Sequence, residues 1–352
     1  MKKYNIAVIP GDGIGIEVMK EGIKVLNFLE NIEFTFDWYD WGCEYYLKHG
    51  KMMDDDGLEK LKKYDAILLG AVGFPGVEDH ISLRGLLLKI RQGFNQYINL
   101  RPVRLLDERD CPLKNKDVQD IDMIFVRENT EGEYAGVGGI QREGTDDEVA
   151  IQTSIFTKRN TKKVMKYAFE LAKKRNKFNK VTSVTKSNAL NYSMVFWDKV
   201  FEETAKEYER IQKESFHVDA TAMYMLQKPE TFDVIVTSNL FGDILTDLGA
   251  SLQGGLGFAA GANINPEREY PSMFEPVHGS APEIAGKGLA NPIAMIWSVK
   301  MMLDFLGHED LGDQVMKGIE RALEDREKLT PDLGGKGTTS QTGDIICEYM
   351  KK

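Results

Sequence analysis

The sequence predicts an α/β protein with a largely parallel sheet. Strand-like and helix-like patterns alternate along the chain. At the N-terminus an apolar run, Tyr4–Pro10, passes through a glycine-rich turn, Gly11–Gly15, into a helical pattern. Hydrophobic residues make up 42% and charged residues 28% of 352 residues, the balance of a folded globular chain rather than a disordered one. At roughly 150 residues per domain, this length suggests two domains. Composition marks no boundary between them: there is no repeat, low-complexity linker or charge block.

The elements follow from periodicity. Tyr4–Pro10 is short, apolar and bounded by glycine, as a buried strand is. Ile16–Glu30 has helical spacing, with Met19, Ile23, Leu26 and Phe28/Leu29 toward a core. Ile32, Phe34, Phe36 and Trp38 alternate with polar residues, which is strand periodicity. Asp65–Leu69, Ile121–Val126 and Asp233–Val236 read as strands. Lys162–Lys174, Val195–Glu207, Ala294–Leu306 and Leu311–Glu327 read as helices. Gly136–Gly144 and Ala150–Thr157 read as turn and strand, an arm or hairpin, and Gly334–Gly337 as a loop.

Charge and cysteine usage narrow the function. Lys+Arg 45 against Asp+Glu 55 gives −10, which disfavours nucleic acid or an anionic membrane as main partner. The three cysteines, Cys43, Cys111 and Cys347, are far apart and indicate neither a disulfide framework nor a thiolate zinc site. No apolar run approaches the roughly 20 residues of a membrane span, and Met1–Pro10 carries no signal or transit pattern, so a cytoplasmic protein is expected.

Several motifs can carry chemistry. Gly11-Asp12-Gly13-Ile14-Gly15 opens a helix after a strand but lacks the third glycine of a dinucleotide fingerprint, so a tight turn and a nucleotide role both stay open. Arg84, Leu87, Leu88 and Arg91 are spaced to share one helix face. With Arg101 and Arg127 they offer guanidinium forks suited to a dicarboxylic acid; each is also compatible with a surface arginine. Asp243 and Asp247, four apart, are either solvated aspartates near a helix start or oxygen ligands for Mg²⁺ or Mn²⁺. Lys186, between small polar residues at a strand end, is a candidate general base; that role needs a depressed pKa, which a nearby divalent cation supplies. Tyr134 is a candidate general acid. The segment Glu275–Glu283, continuing to Asn291, has the small residues that let a ligand approach the backbone, with His278 and a carboxylate at Glu283 for ribose hydroxyls.

Taken together, IPGDGIG, the LLxxR arginine helix, NLRP, VRENTEGEYAGV, TKSN, SNLFGDILTD, EPVHGSAPEIAGKGLANP and TPDLGG occur in the order found in the β-decarboxylating dehydrogenases, and the chain resembles that family over nearly its whole length. The family holds isocitrate, 3-isopropylmalate, homoisocitrate and tartrate/D-malate dehydrogenases. The resemblance implies a two-domain isopropylmalate/isocitrate dehydrogenase-like fold that is not a Rossmann fold. Residues 1–98 and 250–352 would form a discontinuous cofactor-binding domain. Residues 99–249 would form a second domain with the dimer interface, the catalytic lysine and the metal aspartates. It further implies a homodimer with shared active sites, into which Lys186 and Asp219 reach from the other subunit.

The same resemblance implies roles. Arg91, Arg101 and Arg127 would hold the substrate carboxylates, with Leu87 beside the substrate. Asp219, Asp243 and Asp247 would hold Mg²⁺ or Mn²⁺. Lys186 would take the hydroxyl proton, and Tyr134 would protonate C3 after CO₂ leaves. NAD would lie on His278, Gly279, Ser280, Ala281, Glu283 and Asn291, and K⁺ is a further candidate cation. Glu283 followed by Ile284 points to NAD rather than NADP, because a carboxylate accepts from ribose hydroxyls and repels a 2′-phosphate. Gly85 and Leu87 replace the serine and asparagine of isocitrate enzymes, which removes the usual grip on a third carboxylate, and SLRGLLLKIR, FNQYINLRPVR, ENTEGEYAGVGG, the WD after TKSN and ANINPEREYPSMFEPVHGSAPEI most resemble the tartrate/D-malate subgroup. 3-Isopropylmalate stays compatible with Leu87 and Leu88. Arg84 stands where that subgroup has tryptophan, which keeps a third carboxylate, as on homoisocitrate, in view. A non-catalytic regulatory subunit is a remote alternative, since all the catalytic positions are present.

Overall fold

The computed structural model describes residues 2–351. Its strands are β1 (Lys2–Gly11), β2 (Ile32–Trp38), β3 (Ala66–Ala71), β4 (Ile98–Arg104), β5 (Asp122–Glu128), β6 (Gly132–Gln141), β7 (Val149–Ile155), β8 (Lys180–Thr185), β9 (Gln212–His217), β10 (Val234–Thr237), β11 (Ala260–Ile264) and β12 (Ser272–Pro276). Its α-helices are α1 (Gly15–Phe28), α2 (Cys43–His49), α3 (Gly57–Leu61), α4 (Asp79–Ser82), α5 (Leu88–Gly93), α6 (Lys158–Arg175), α7 (Ser193–Ala205), α8 (Val218–Gln227), α9 (Asn239–Leu252), α10 (Ile293–Phe305), α11 (Glu309–Glu324) and α12 (Thr339–Met350). The chain divides into two compact units. The first is Met1–Gln96, Leu106–Pro112 and Gln253–Lys352; the second is Tyr97–Leu105 and Leu113–Leu252.

In the first unit the strand order is β2-β1-β3-β12-β11. All neighbours are parallel except β11 against β12. β1 and β3 are apolar throughout their inner stretches because both faces are covered, as parallel strands require. β2 lies at the sheet edge, so its alternation leaves Trp38 exposed. α1 buries Met19, Ile23 and Leu26 as its spacing predicts, and ends where Leu29 turns extended.

In the second unit the order is β4-β5-β10-β8-β9, parallel except β4 against β5. β6 and β7 form a separate antiparallel hairpin, which realises the expected arm; its strand begins at Gly132, earlier than the glycine pattern suggests. Val137, Ile140 and Ile151 on it are exposed. Among the described residues no helix is long and apolar enough to cross a membrane.

One local expectation is corrected. Arg84, Leu87, Leu88 and Arg91 do not share a face, because Leu83–Leu87 is a π-helical turn feeding α5. A π turn carries an extra residue and rotates what precedes it relative to an α-helix. Leu88 and Arg91 are buried, Leu87 is half-buried and Arg84 is exposed.

Candidate active site

In the second unit the site is built by strand register. Thr237 of β10 lies beside Arg127 of β5, and α9 opens two residues later at Asn239. The buried Arg127 side chain therefore runs under the first turn of α9. Its Nε and Nη2 donate to Asn239 Oδ1 at 3.1 and 2.7 Å, and its Nη1 donates to Asp243 Oδ1 at 2.5 Å. Gly242 makes this possible: a Cβ there would stand 2.5 Å from Arg127 Cγ. Arg101, on β4, donates from Nη1 to Thr246 Oγ1 at 2.7 Å and lies 3.6 Å from Asp243 Oδ1. Tyr134 donates its hydroxyl to Asp243 Oδ2 at 2.8 Å, and the Arg127 guanidinium lies 5.5 Å from its ring centre. Arg101, Arg127, Tyr134 and Asp243 thus form one cluster.

Asp247 lies one helical turn beyond Asp243. Burial of its carboxylate, aided by the Asp243 charge, raises its pKa against the opposing pull of Arg101 and Arg127. Two carboxylates that repel one another, with only oxygen atoms on offer, are the donor chemistry a hard divalent cation requires. Among the described residues, however, no group of three or more His, Cys, Asp or Glu side chains is arranged to hold a metal. The third expected ligand, Asp219, sits elsewhere in this unit. The pairing of Thr185 with His217 brings the residues after β8 beside those opening α8. Lys186 Nζ there lies 2.8 Å from Asp219 Oδ1, and that hydrogen bond lowers the Asp219 pKa.

In the first unit the buried Arg91 donates from Nη2 to Glu275 Oε1 at 2.7 Å, and Asn263 Nδ2 donates to the same oxygen at 2.8 Å. Arg84 is exposed, and no hydrogen bond or ion pair holds it among the described residues. Gly85 packs on Met52, whose Cγ would be 2.5 Å from an added Cβ.

The segment after β12 is tied to the N-terminal glycine turn. Ile14 N donates to Ser280 O at 2.8 Å, and a Cβ on Gly13 would run into that same carbonyl. The buried Asp12 accepts from Cys43 N at 2.9 Å and Gly73 N at 3.0 Å, locking the turn to its neighbours. The Gly11–Gly15 turn therefore buttresses the segment that carries Ser280. His278 Nδ1 lies 3.0 Å from Gly279 O. A carbonyl only accepts, so Nδ1 carries the proton. Burial lowers the His278 pKa and keeps the ring neutral, which leaves Nε2 a buried acceptor without a partner. An orphaned acceptor next to Gly279, where an added Cβ would meet nothing within 4 Å, suits the hydroxyl and amino donors of a dinucleotide. Glu283 is exposed. Asn291 uses its side-chain amide locally, donating to Asp332 Oδ2 at 2.9 Å and accepting from Ile293 N at 3.0 Å.

Spacing arguments did not single out Asn239, Thr246, Asn263 or Asp12. Asn239, Thr246 and Asp12 sit inside motifs whose partners are far away in sequence, while Asn263 meets Glu275 across the β11–β12 ladder. Only Glu275 carried a signal, as the first residue of the EPVHGS run.

Residues 5–347 match the family described as "Isocitrate/isopropylmalate dehydrogenase". The chain is 51% identical to a probable tartrate dehydrogenase/decarboxylase of Bacillus subtilis, covering 100% of this chain and 99% of the relative. It is 52% identical to the decarboxylating D-malate dehydrogenase of Escherichia coli, with 99% of both covered. Among solved structures, isocitrate dehydrogenase from Methylococcus capsulatus superposes with a TM-score of 0.90 at 34% identity, covering 99% of this chain and 100% of that one.

Proposed function

The chain belongs to the isocitrate/isopropylmalate dehydrogenase family, and from that premise we propose that it oxidises and decarboxylates a D-malate-type 2-hydroxy dicarboxylic acid, D-malate or tartrate. NAD⁺ and Mg²⁺ or Mn²⁺ are its cofactors, and the products are a 2-keto acid such as pyruvate and CO₂. The observation that carries the reading is the cluster of Arg101, Arg127 and Tyr134 around Asp243. Two guanidiniums, a phenol and a carboxylate in one place suit a hydroxy acid that must be held, ionised and reprotonated.

When bound, NAD⁺ would supply an acceptor for the C2 hydride, and a divalent cation on Asp243 and Asp247 would supply positive charge for the substrate oxygen. The chain's own residues do the rest. Arg91, Arg101 and Arg127 would hold the substrate carboxylates through charge-assisted hydrogen bonds, and Glu275 braces Arg91. Asp243 and Asp247 supply oxygen ligands. Lys186 removes the hydroxyl proton, and Tyr134 delivers a proton to C3 after CO₂ departs. Lys186 and Asp219 act in the partner's site of a homodimer. Exposed Met223 and Leu226 on α8 and Ile244 on α9 support a second copy packing there. Glu283 favours NAD by accepting from the ribose. The packing of Gly85 on Met52 leaves no room for the serine of isocitrate enzymes unless Met52 moves.

Initial rates with D-malate, L- and meso-tartrate, 3-isopropylmalate, isocitrate and homoisocitrate, under identical NAD⁺ and Mn²⁺, test the assignment. D-malate or a tartrate is expected to give the highest kcat/KM. A clear preference for 3-isopropylmalate or a tricarboxylate overturns the substrate. Turnover of none by the purified chain favours a regulatory subunit.

A further inference from the structure

We infer that Glu17, a residue outside the cofactor segment, is a positioning residue for the dinucleotide and sets where the Glu283 carboxylate stands. The inference rests on the reading that residues 278–291 hold NAD.

Glu283 is exposed, and no hydrogen bond or ion pair holds its side chain among the described residues. Its position must come from the backbone on either side. Three residues before it, Ser280 O accepts from Ile14 N at 2.8 Å. Three residues after it, Gly286 N donates to Glu17 Oε1 at 3.0 Å, and Gly288 N donates to Glu17 Oε2 at 3.0 Å. Both glycines have positive φ, +73° and +66°. That conformation lets two N–H groups, two residues apart, converge on one carboxylate, as backbone anion nests do. Ile14 and Glu17 are neighbours at the start of α1, so one helical turn holds both ends of the bridge that carries Glu283. Beyond it, Thr339 N donates to Gly288 O at 2.8 Å, and Thr339 Oγ1 donates to Ala290 O at 2.7 Å. Those bonds secure the far side and leave Glu17 as the side-chain clamp nearest Glu283.

A carboxylate accepting two backbone N–H groups makes charge-assisted bonds, each worth more than a neutral one. Glutamine in its place keeps one acceptor and turns an amide N–H₂ toward the other glycine. Alanine loses both bonds. The chemical step does not involve Glu17, so the loss falls on dinucleotide affinity and on the choice between NAD⁺ and NADP⁺, not on turnover.

The test uses the full-length protein and the variants Glu17→Ala and Glu17→Gln. It measures NADH Kd by fluorescence titration, amide hydrogen exchange of residues 279–290 with and without NADH, and kcat with KM for NAD⁺, for NADP⁺ and for D-malate. A thermal melt checks that each variant is folded. Glu17→Ala is expected to raise NADH Kd about tenfold, speed exchange at Gly286 and Gly288, and narrow the NAD⁺ over NADP⁺ preference. Glu17→Gln should fall between it and wild type, with kcat and the D-malate KM held within about twofold in both. Folded Glu17→Ala protein with unchanged NADH Kd overturns the inference, as does a loss in kcat at constant Kd. If NADH fails to protect residues 279–290 of the wild-type chain from exchange, the cofactor reading itself fails. If it protects them while Glu17→Ala binds normally, only the role of Glu17 fails.

Discussion

Gly242→Ala adds one methyl group that touches no reacting atom, yet it should disable the site. The new Cβ would stand 2.5 Å from Arg127 Cγ and 2.8 Å from Arg127 Cβ, and would press on the Thr237 hydroxyl. Carbon atoms rest at about 3.5–4.0 Å, so the Arg127 stem must move by about 1 Å. The guanidinium then loses its alignment with Asn239 and Asp243. A displacement of that size in a substrate-positioning group costs on the order of 10²-fold in rate. The helix itself supplies the control. Gly249→Ala, two turns along α9, would bring its Cβ to the same 2.5 Å from Val103 Cγ2. Both variants carry roughly 1–3 kcal/mol of overpacking and the same helix-propensity gain. They should therefore melt at similar temperatures. Steady-state kinetics should separate them, with kcat/KM about a hundredfold lower for Gly242→Ala and near wild type for Gly249→Ala. Equal activity of the two, or a wild-type rate for Gly242→Ala, refutes the placement of Arg127 as the group the substrate meets.

Other outcomes follow from the same geometry. Asp243→Asn should weaken Mn²⁺ binding, read by electron paramagnetic resonance, and cut turnover by orders of magnitude; unchanged Mn²⁺ affinity removes the metal assignment. Lys186→Met should abolish hydride transfer, while Tyr134→Phe should still reduce NAD⁺ slowly and fail at enol protonation, so identical partial reactions in the two variants argue against the division of labour. Glu283→Lys with Ile284→Tyr should move preference toward NADP⁺, by about tenfold for each 1.4 kcal/mol of repulsion relieved, and wild-type protein that uses both cofactors equally denies Glu283 the ribose. The last concerns stability. Burial pushes the Asp107 carboxyl up, but hydrogen bonds from Arg109 and the charge of Arg326 more than reverse this and hold it at about 2. A carboxyl depressed in the folded state contributes stability above its unfolded pKa and loses it as pH falls through the folded one. The urea midpoint of wild type should exceed that of Asp107→Asn at pH 6 by the equivalent of about 2 kcal/mol, and the gap should close between about pH 4 and 2; a gap independent of pH contradicts the assignment.

Much of this was written in local sequence. Whereas α10 is a continuous apolar run buried on nearly every side, periodicity located α1, α6, α7 and α11, because an apolar stripe every three or four residues has to face a core. It placed β1, β3, β5 and β10 for the same reason at period two or as short apolar runs. Residue chemistry marked Arg127, Tyr134, Lys186, Asp243 and Glu283 as the groups to watch, since a fork, a phenol, an amine and carboxylates announce what they can bind. Tertiary structure decided who meets whom. Arg127 and Asp243 are 116 positions apart, and only the register of β5 against β10 sets one under the other. Glu17 and Gly286 are 269 apart, so no window of sequence relates them. The π turn at Leu83–Leu87 moved Arg84 off the face that α-helical spacing assigned it, because local spacing does not report an extra residue in a turn. Local pattern is dictated by neighbours along the chain and by which side must be dry. A site is dictated by contacts between segments whose distance in space is unrelated to their distance in sequence.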